Sequence, residues 1–399
     1  MLNPLIIAYP FLHESDACGR IEQQFFSRLP QEDFSSTIVC SELRCDGKYG
    51  EGFNKIVIPE SKLICNLSRA AHRLKISDYL FLPDYQKLAW NKKVLSQLEN
   101  EVKSGKYDYV HTINMPCSSH LIGLELKKKY GIPWVAQFYD PWYNNPYRQQ
   151  QRSIVHSRDA KYEKEVAINA DLILHSNQLM IDDWSQTYGE IINNKIFVLP
   201  YIIDEREICT RTDDSDFLTI SHIGNLMRGR NSVVFIKAVA KLVSQYSDLQ
   251  NRLRVNYVGT ITEAEEALIR QEGLDGVFNI TGRITNVECN KYFAESDAFL
   301  AIDTEHLHNV FFPSKLLNYF YYQKPIIGLC QKESVLRMEL KASNNFVFDY
   351  DDVDGLAEFL MKVVNGKRKL AVNDKSYWEK FSTKTVIGQY MKLIKNLCI

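Results

Sequence analysis

The stretch FLTISHIGNLMRGRNSVVFIKAVAKLV, residues 217–243, decides how this chain is expected to fold. Phe217 to Ile223 is a short apolar run bounded by a glycine, which reads as a buried strand. From residue 232 onward a helix is expected. Between strand and helix lies a loop with two glycines and two arginines. The alternation continues outward. Strands are expected at Arg254 to Val258, Val277 to Ile280, Ala298 to Ile302, Pro325 to Leu329 and Phe346 to Phe348. Helices are expected at 232–246, 262–272, 286–296, 313–322, 331–340 and 352–364. Short apolar runs alternating with amphipathic helices imply a parallel sheet covered by helices.

The first half shows the same rhythm. Leu5 to Tyr9, Thr37 to Cys40, Tyr109 to His111, Trp134 to Gln137, Leu172 to Leu174 and Ile196 to Leu199 read as buried strands. Helices are expected near 20–29, 86–103, 118–130, 155–169 and 177–188. Pro200 and the polar stretch Asp204 to Asp216 read as a linker. The expected fold class is therefore α/β: two Rossmann-like doubly wound domains, 1–200 and 201–375, facing across a cleft. A last helix, 376–399, has no strand after it and is expected to cross back onto the first domain. A chain of 399 residues is longer than one core usually serves.

Composition narrows the function classes. Hydrophobic residues make up 45% and charged residues 24%, as in ordinary globular proteins. A formal net charge of -1 gives no basic excess for nucleic-acid binding. No signal-peptide pattern opens the sequence and no apolar run is long enough to span a bilayer, so a cytoplasmic location is expected. Nine cysteines lie scattered without a C-x-x-C pair. They are expected to be reduced thiols, with neither a disulfide framework nor a zinc site.

Two loops carry chemistry. Ligands of doubly wound sheets bind at the carboxyl ends of strands. In the first loop Gly224 would let backbone approach a ligand, and the amides around Ser232 open a helix. Arg228 or Arg230 could supply a permanent, bidentate cation for a diphosphate; a tight turn with two solvated arginines is the alternative. The second loop runs from Asp303 to Phe311-Phe312-Pro313-Ser314-Lys315-Leu316-Leu317-Asn318-Tyr319. Pro313 is favourable at a helix start. Ser314 and Lys315 then fall in the first turn, where a cation opposes the helix dipole unless an anion compensates it. Asn318 shares their face by its spacing from Ser314.

Taken together, these loops resemble the donor site of the "group 1" glycosyltransferases of GT-B fold. The resemblance rests on Gly224-Asn225-Leu226 with Arg230, then Pro313-Ser314-Lys315-Leu316-Leu317-Asn318-Tyr319, then Lys324-Pro325-Ile326-Ile327. In the first half, Gly131-Ile132-Pro133-Trp134-Val135 leading to Asp140-Pro141-Trp142 resembles a segment of bacterial surface-polysaccharide members. Gly19 resembles the glycine that faces the donor phosphates. The resemblance implies transfer of a sugar from a nucleotide-sugar, with retention and without a metal or other cofactor, to a glycan or lipid-linked acceptor. It further implies that Arg230 binds the diphosphate and that Gly224 and Asn225 line its pocket. Ser314 and Lys315 would face phosphate and sugar, and Asp140 the transferred sugar or acceptor.

The sequence departs from the family pattern at two positions. Asn318 stands where a glutamate usually holds the ribose, and Val310 stands where the second glutamate is usual. An uncharged amide is a weaker acceptor for a ribose hydroxyl, and Glu305 is the nearby carboxylate that could substitute. A sugar-nucleotide epimerase and an inactive binding protein are the alternative readings. Trp142, Tyr143 and Tyr147 could stack on a sugar or simply pack. His306 and His308 read as loop residues rather than metal ligands, and His120 as structural. The stretch Arg69 to Lys75 and the run Trp90-Asn91-Lys92-Lys93 would suit transient contact with an anionic inner-membrane surface, or form solvated helix faces.

Overall fold

Two parallel sheets organise the chain. The computed structural model describes residues 1–11, 17–45, 53–74, 88–148, 153–205, 207–211, 217–226, 229–366, 370, 374 and 376–398. Contacts divide it into unit 1, Met1–Ile202 with Thr383–Ile399, and unit 2, Ile203–Ser382.

In unit 1 the strands are β1 (Pro4–Ile7), β2 (Thr37–Ser41), β3 (Asn54–Ile58), β4 (Tyr109–Ile113), β5 (Trp134–Phe138), β6 (Leu172–His175) and β7 (Ile196–Val198). Their order is β3-β2-β1-β4-β5-β6-β7, every pair parallel. Strands β1, β2, β4, β5 and β6 are buried throughout. That is why they read as continuous apolar runs rather than alternating ones. Strand β3 was not expected. It is an edge strand, partly exposed along most of its length and carrying Asn54 and Lys55, so it lacks a buried strand's signature. The helices are α1 (Ala17–Phe26), α2 (Lys62–Arg73), α3 (Leu88–Lys103), α4 (His120–Tyr130), α5 (Ser153–Asn169) and α6 (Gln178–Tyr188).

In unit 2 the main sheet runs β10-β9-β8-β11-β13-β15, again all parallel. Its strands are β8 (Leu218–Ile223), β9 (Leu253–Val258), β10 (Phe278–Ile280), β11 (Ala298–Ile302), β13 (Ile326–Leu329) and β15 (Phe346–Phe348). Helix α7 (Val233–Gln245) follows β8 and buries Val234, Phe235, Ala238, Val239 and Leu242, as its period requires. Its core also takes Ile220, Leu300, Ile327, Leu356 and Leu360. Helices α8 (Glu263–Gln271) and α9 (Asn286–Glu295) both open on capping boxes, Thr262 with Glu265 and Thr285 with Glu288. After them come α10 (Lys315–Tyr321), α11 (Val335–Ala342) and α12 (Val353–Val364).

Two expectations change. The helix expected from 331 begins at Val335, because β14 (Glu333–Ser334) pairs in parallel with β12 (His308–Asn309) and Ser334 then caps the helix. The last helix is not continuous over 376–399. Tyr377–Phe381 is a 3-10 turn of unit 2, where buried Phe381 stacks on Phe320 and its carbonyl accepts from the Ile203 amide. Only α13, Thr383–Cys398, joins unit 1. There Tyr390 is buried beneath the sheet's polar seam. The His111 imidazole donates from Nε2 to Gln137 Oε1 at 2.8 Å, so its Nδ1 accepts from the Tyr390 hydroxyl at 2.9 Å. Burial keeps that imidazole neutral, its pKa lowered to about 4. Among the described residues no helix is long and apolar enough to cross a membrane.

Candidate functional site

In unit 2 the strand order reverses between β8 and β11, whose pairing runs through Ala298↔Ile220 and Phe299↔Ser221. Helices leave the two strands toward opposite faces at such a point, opening a crevice at their carboxyl ends. The loops that line it are 224–232 and 303–314, the two singled out in the sequence.

Gly224 adopts a φ of 129°, backbone open to glycine and strained for other residues. Its amide donates to the Val258 carbonyl at 2.7 Å. A Cβ there would stand 3.0 Å from the Lys315 Nζ, so the lysine lies against bare backbone. Gly259, which sequence reasoning missed, makes this possible. It has a φ of 137°, and a Cβ on it would stand 2.8 Å from the Gly224 carbonyl carbon and oxygen. Asn225, expected to line the ligand pocket, is half-buried and has its side-chain oxygen engaged. Its Oδ1 accepts from both the amide and the hydroxyl of Thr260, at 3.0 and 2.9 Å, and pins the loop to the end of β9.

Lys315 reaches back to β8. Its ammonium lies 2.8 Å from His222 Nε2, and His222 Nδ1 lies 2.9 Å from the Leu300 carbonyl oxygen. A carbonyl only accepts, so Nδ1 carries the ring proton and Nε2 accepts from the lysine. Burial holds His222 well below the ordinary imidazole range, and the lysine charge adds to that. Lys315 itself is pushed down to about 7, first by burial and then by the positive charge of Arg230. Arg230 is half-buried, its Nε cut off from water with no hydrogen-bond partner. Among the described residues neither cation makes an ion pair. The nearby Asp303 carboxyl acts on Arg230 but not on Lys315, so the lysine keeps its charge beside a second cation without an ion pair among the described residues.

The helix starts do less than expected. The amide and hydroxyl of Ser232 both donate to Glu265 Oε1 at 2.7 Å, and the Val233 amide donates to Asn231 Oδ1. The protein's own carboxylate thus already occupies the N-terminus of α7. Helix α10 has seven residues, and its Leu316 and Leu317 amides bond back to the carbonyls of Pro313 and Ser314. Pro313 is buried, Ser314 exposed and Asn318 half-buried. Attraction for an anion therefore rests on side chains rather than on helix dipoles. Lys324 of the Lys-Pro pair is structural: its ammonium donates to the carbonyls of Phe293, Ala294 and Ser296 at the end of α9.

The missing glutamates stay missing. Val310 is buried in the core. Glu305 is exposed, bonded through its side chain to Asn231 and through its amide to the Gly229 carbonyl. Asp303, buried at the end of β11, is pushed up to about 6 by burial. Its Oδ1 accepts from the Thr304 amide and from Asn309, and its carbonyl from the Tyr350 hydroxyl. Arg228 lies outside the described residues. His308 pairs with Glu333 at 3.2 Å, and among the described residues no group of three or more His, Cys, Asp or Glu is placed to hold a metal.

Asp140 and Gly19 belong to unit 1. Gly19 lies buried in the first turn of α1. Asp140 follows β5, where buried Asn114 bridges the turn: its Oδ1 accepts from the Tyr139 amide at 3.0 Å and its Nδ2 donates to the Asp140 carbonyl at 2.5 Å. Tyr139 stacks on Tyr201, their centroids 5.2 Å apart. Trp142 is no sugar platform, being fully buried against Tyr162. Tyr143 packs on His156, and Tyr147 is exposed. Glu163 of α5, not foreseen either, anchors this loop. Its oxygens accept from the Tyr143 amide at 2.9 Å and the Tyr188 hydroxyl at 2.7 Å, and burial pushes its pKa up to about 7. Glu163→Ala should orphan the buried Tyr188 hydroxyl, at roughly 1–3 kcal/mol, and the part-buried Tyr143 amide, at less. Thermal unfolding is expected to show a Tm lowered by several degrees, and an unchanged Tm would remove Glu163 as the anchor.

Two parallel α/β units of Rossmann-like topology place the chain in the GT-B fold class. Within that class, residues 26–207 match the model of Glycosyltransferase Family 4. That match agrees with the resemblance to group 1 glycosyltransferases read from the sequence. Sucrose-phosphate synthase from Thermosynechococcus elongatus superposes with a TM-score of 0.70 at 13% identity, covering 100% of this chain and 99% of that one. The lipopolysaccharide outer core galactosyltransferase WaaB gives 0.67 at 14% identity, covering 99% of each chain. HepE of Anabaena, solved in complex with UDP, gives 0.65 at 13% identity, covering 99% of this chain and 100% of its own. Identities this low make these likenesses of fold. No curated protein matches the sequence.

Proposed function

We propose that this chain transfers a sugar from a nucleotide-sugar donor, gripping the donor diphosphate with Arg230 and Lys315. The observation that carries the reading is the pair of cations at the β8–β11 switch point, neither of them in an ion pair among the described residues. As the glycosidic bond to the diphosphate breaks, negative charge builds on the leaving oxygen. Preplaced cations stabilise that charge more than the ground state, which is how such a site accelerates the reaction. On this reading a metal is not required, because the two side chains supply the positive charge. Pro313 and Ser314 shape the same rim. The acceptor is a glycan or lipid-linked glycan, with anomeric configuration retained, as in surface-polysaccharide synthesis. Cytoplasmic action with peripheral contact at an anionic membrane fits the cations Lys92 and Lys93 and the exposed Leu63 and Leu67 of α2.

The test is a thermal-shift screen of nucleotide-sugars, since a ligand that binds the native state raises Tm by mass action. UDP-sugars come first, because HepE was solved with UDP and with UDP-glucose. Failure of every nucleotide-sugar to raise Tm would end the proposal. Restoring a carboxylate by Asn318→Glu should tighten nucleotide binding by about tenfold, because a charge-assisted hydrogen bond to ribose replaces a neutral one. Calorimetry showing no gain would place Asn318 away from the ribose. Buried Val310 in place of a glutamate favours one second reading, a binding protein without turnover. Donor binding without transfer or hydrolysis would select it.

A further inference from the structure

We propose that His222 is a positioning residue of the donor site: a neutral imidazole, locked in one tautomer, that holds the Lys315 ammonium against Gly224 for a diphosphate to meet. The inference rests on the donor reading above and deepens it. A carboxylate in the place of His222 would hold the lysine as firmly, but it would neutralise the charge and repel the phosphate. A hydrocarbon would leave the ammonium without an acceptor, and its flexible stem would turn to water. An imidazole whose Nδ1 proton is committed to the Leu300 carbonyl offers only an acceptor at Nε2, so it orients the cation without cancelling it. The Gly224 backbone completes the seat, since any side chain there would press on Nζ.

Among the described residues, two groups act on Lys315. From β8 comes His222, and from the following loop Arg230. Asp303, at the end of β11, acts on Arg230 rather than on the lysine. With no carboxylate among the described residues acting on it, burial and the Arg230 charge push Lys315 down to about 7. A bound diphosphate stabilises the ammonium and raises that pKa. The sign follows. Below about 7 the ammonium is already formed and affinity is flat. Above it, binding must draw a proton from solvent, and affinity falls toward tenfold per pH unit. The diphosphate of a nucleotide-sugar is doubly esterified and keeps its charge throughout, so the slope belongs to the protein.

The experiment uses the full chain and follows two readouts. NMR of lysine Cε, with Lys315→Met for assignment, titrates Lys315 in wild type, His222→Gln and His222→Leu. Calorimetry measures affinity for UDP-glucose, GDP-mannose, ADP-glucose and dTDP-glucose from about pH 6 to about pH 9, the range bracketing the perturbed amine. Lys315 is expected to titrate near 7 in wild type and in the glutamine variant, whose Oε1 can accept in place of Nε2. In the leucine variant it should return by more than about one pH unit toward the ordinary amine. Donor affinity at neutral pH should fall at least about tenfold with leucine and largely recover with glutamine. His222→Asn, polar but too short to reach, is the second loss variant should leucine not fold. Loss variants in which Lys315 titrates and the donor binds as in wild type would overturn the role of His222. If none of the four nucleotide-sugars binds while the Lys315 titration still follows His222, the donor reading falls and the coupling stands.

Discussion

Replacing Arg230 with alanine is expected to lower turnover about a hundredfold or more while the protein stays folded. Arg230 makes no hydrogen bond or ion pair with any described residue, and its Nε is buried without a partner. Its removal therefore breaks no hydrogen bond among the described residues and relieves repulsion on Lys315. What is lost is a fixed charge aimed at the leaving diphosphate, and losing one such stabilising group costs about 2.7–4 kcal/mol of barrier. Because the charge on the leaving oxygen grows in the transition state, kcat should fall more than donor affinity. Steady-state kinetics with a donor found in the screen would decide. An alanine variant with normal kcat would show that the diphosphate lies elsewhere. Arg230→Lys should recover only part of the loss, since a point charge cannot reproduce the planar fork.

The second large effect is expected at a residue that touches no ligand. Gly259→Ala should abolish detectable donor binding and lower stability together. Its φ of 137° strains any other residue, by about 1–3 kcal/mol. Its Cβ would meet the Gly224 carbonyl group at 2.8 Å, and backbone cannot give way as a flexible side chain can. The turn must move, and with it the seat of Lys315. Donor affinity, read beside the urea midpoint, separates the two consequences. An alanine variant that binds donor normally would show that the Gly224 turn has slack.

Much of this architecture was legible because parallel strands buried on both faces leave unbroken apolar runs, as in β4, β5 and β11. Edge strand β3 was not, because half-exposed residues carry no such run. Within the site, Gly224, Arg230 and Lys315 stood out through glycine, charge and spacing. What a linear reading cannot supply is the partner of each group. Glu265 lies far along the chain from Ser232 yet takes both its amide and its hydroxyl, so a loop group that looked open to a ligand is already engaged. Thr260 takes the side chain of Asn225 for the same reason. His222 reads as one more residue of a buried strand until Leu300 fixes its proton and Lys315 takes its lone pair. Trp142 resembles a sugar-stacking aromatic until its full burial is seen.

Helix α13 closes unit 1 with residues that a ribosome adds after every residue of unit 2. Until Tyr390 arrives, the hydroxyl of Tyr109 and the Nδ1 of His111 have no partner on the nascent chain. Unit 2, in contrast, is complete once Ser382 has emerged. The half of the molecule made second is therefore free to mature first. A chain stopped by an early termination codon just before Thr383 would carry a finished unit 2 beside an unfinished, aggregation-prone unit 1.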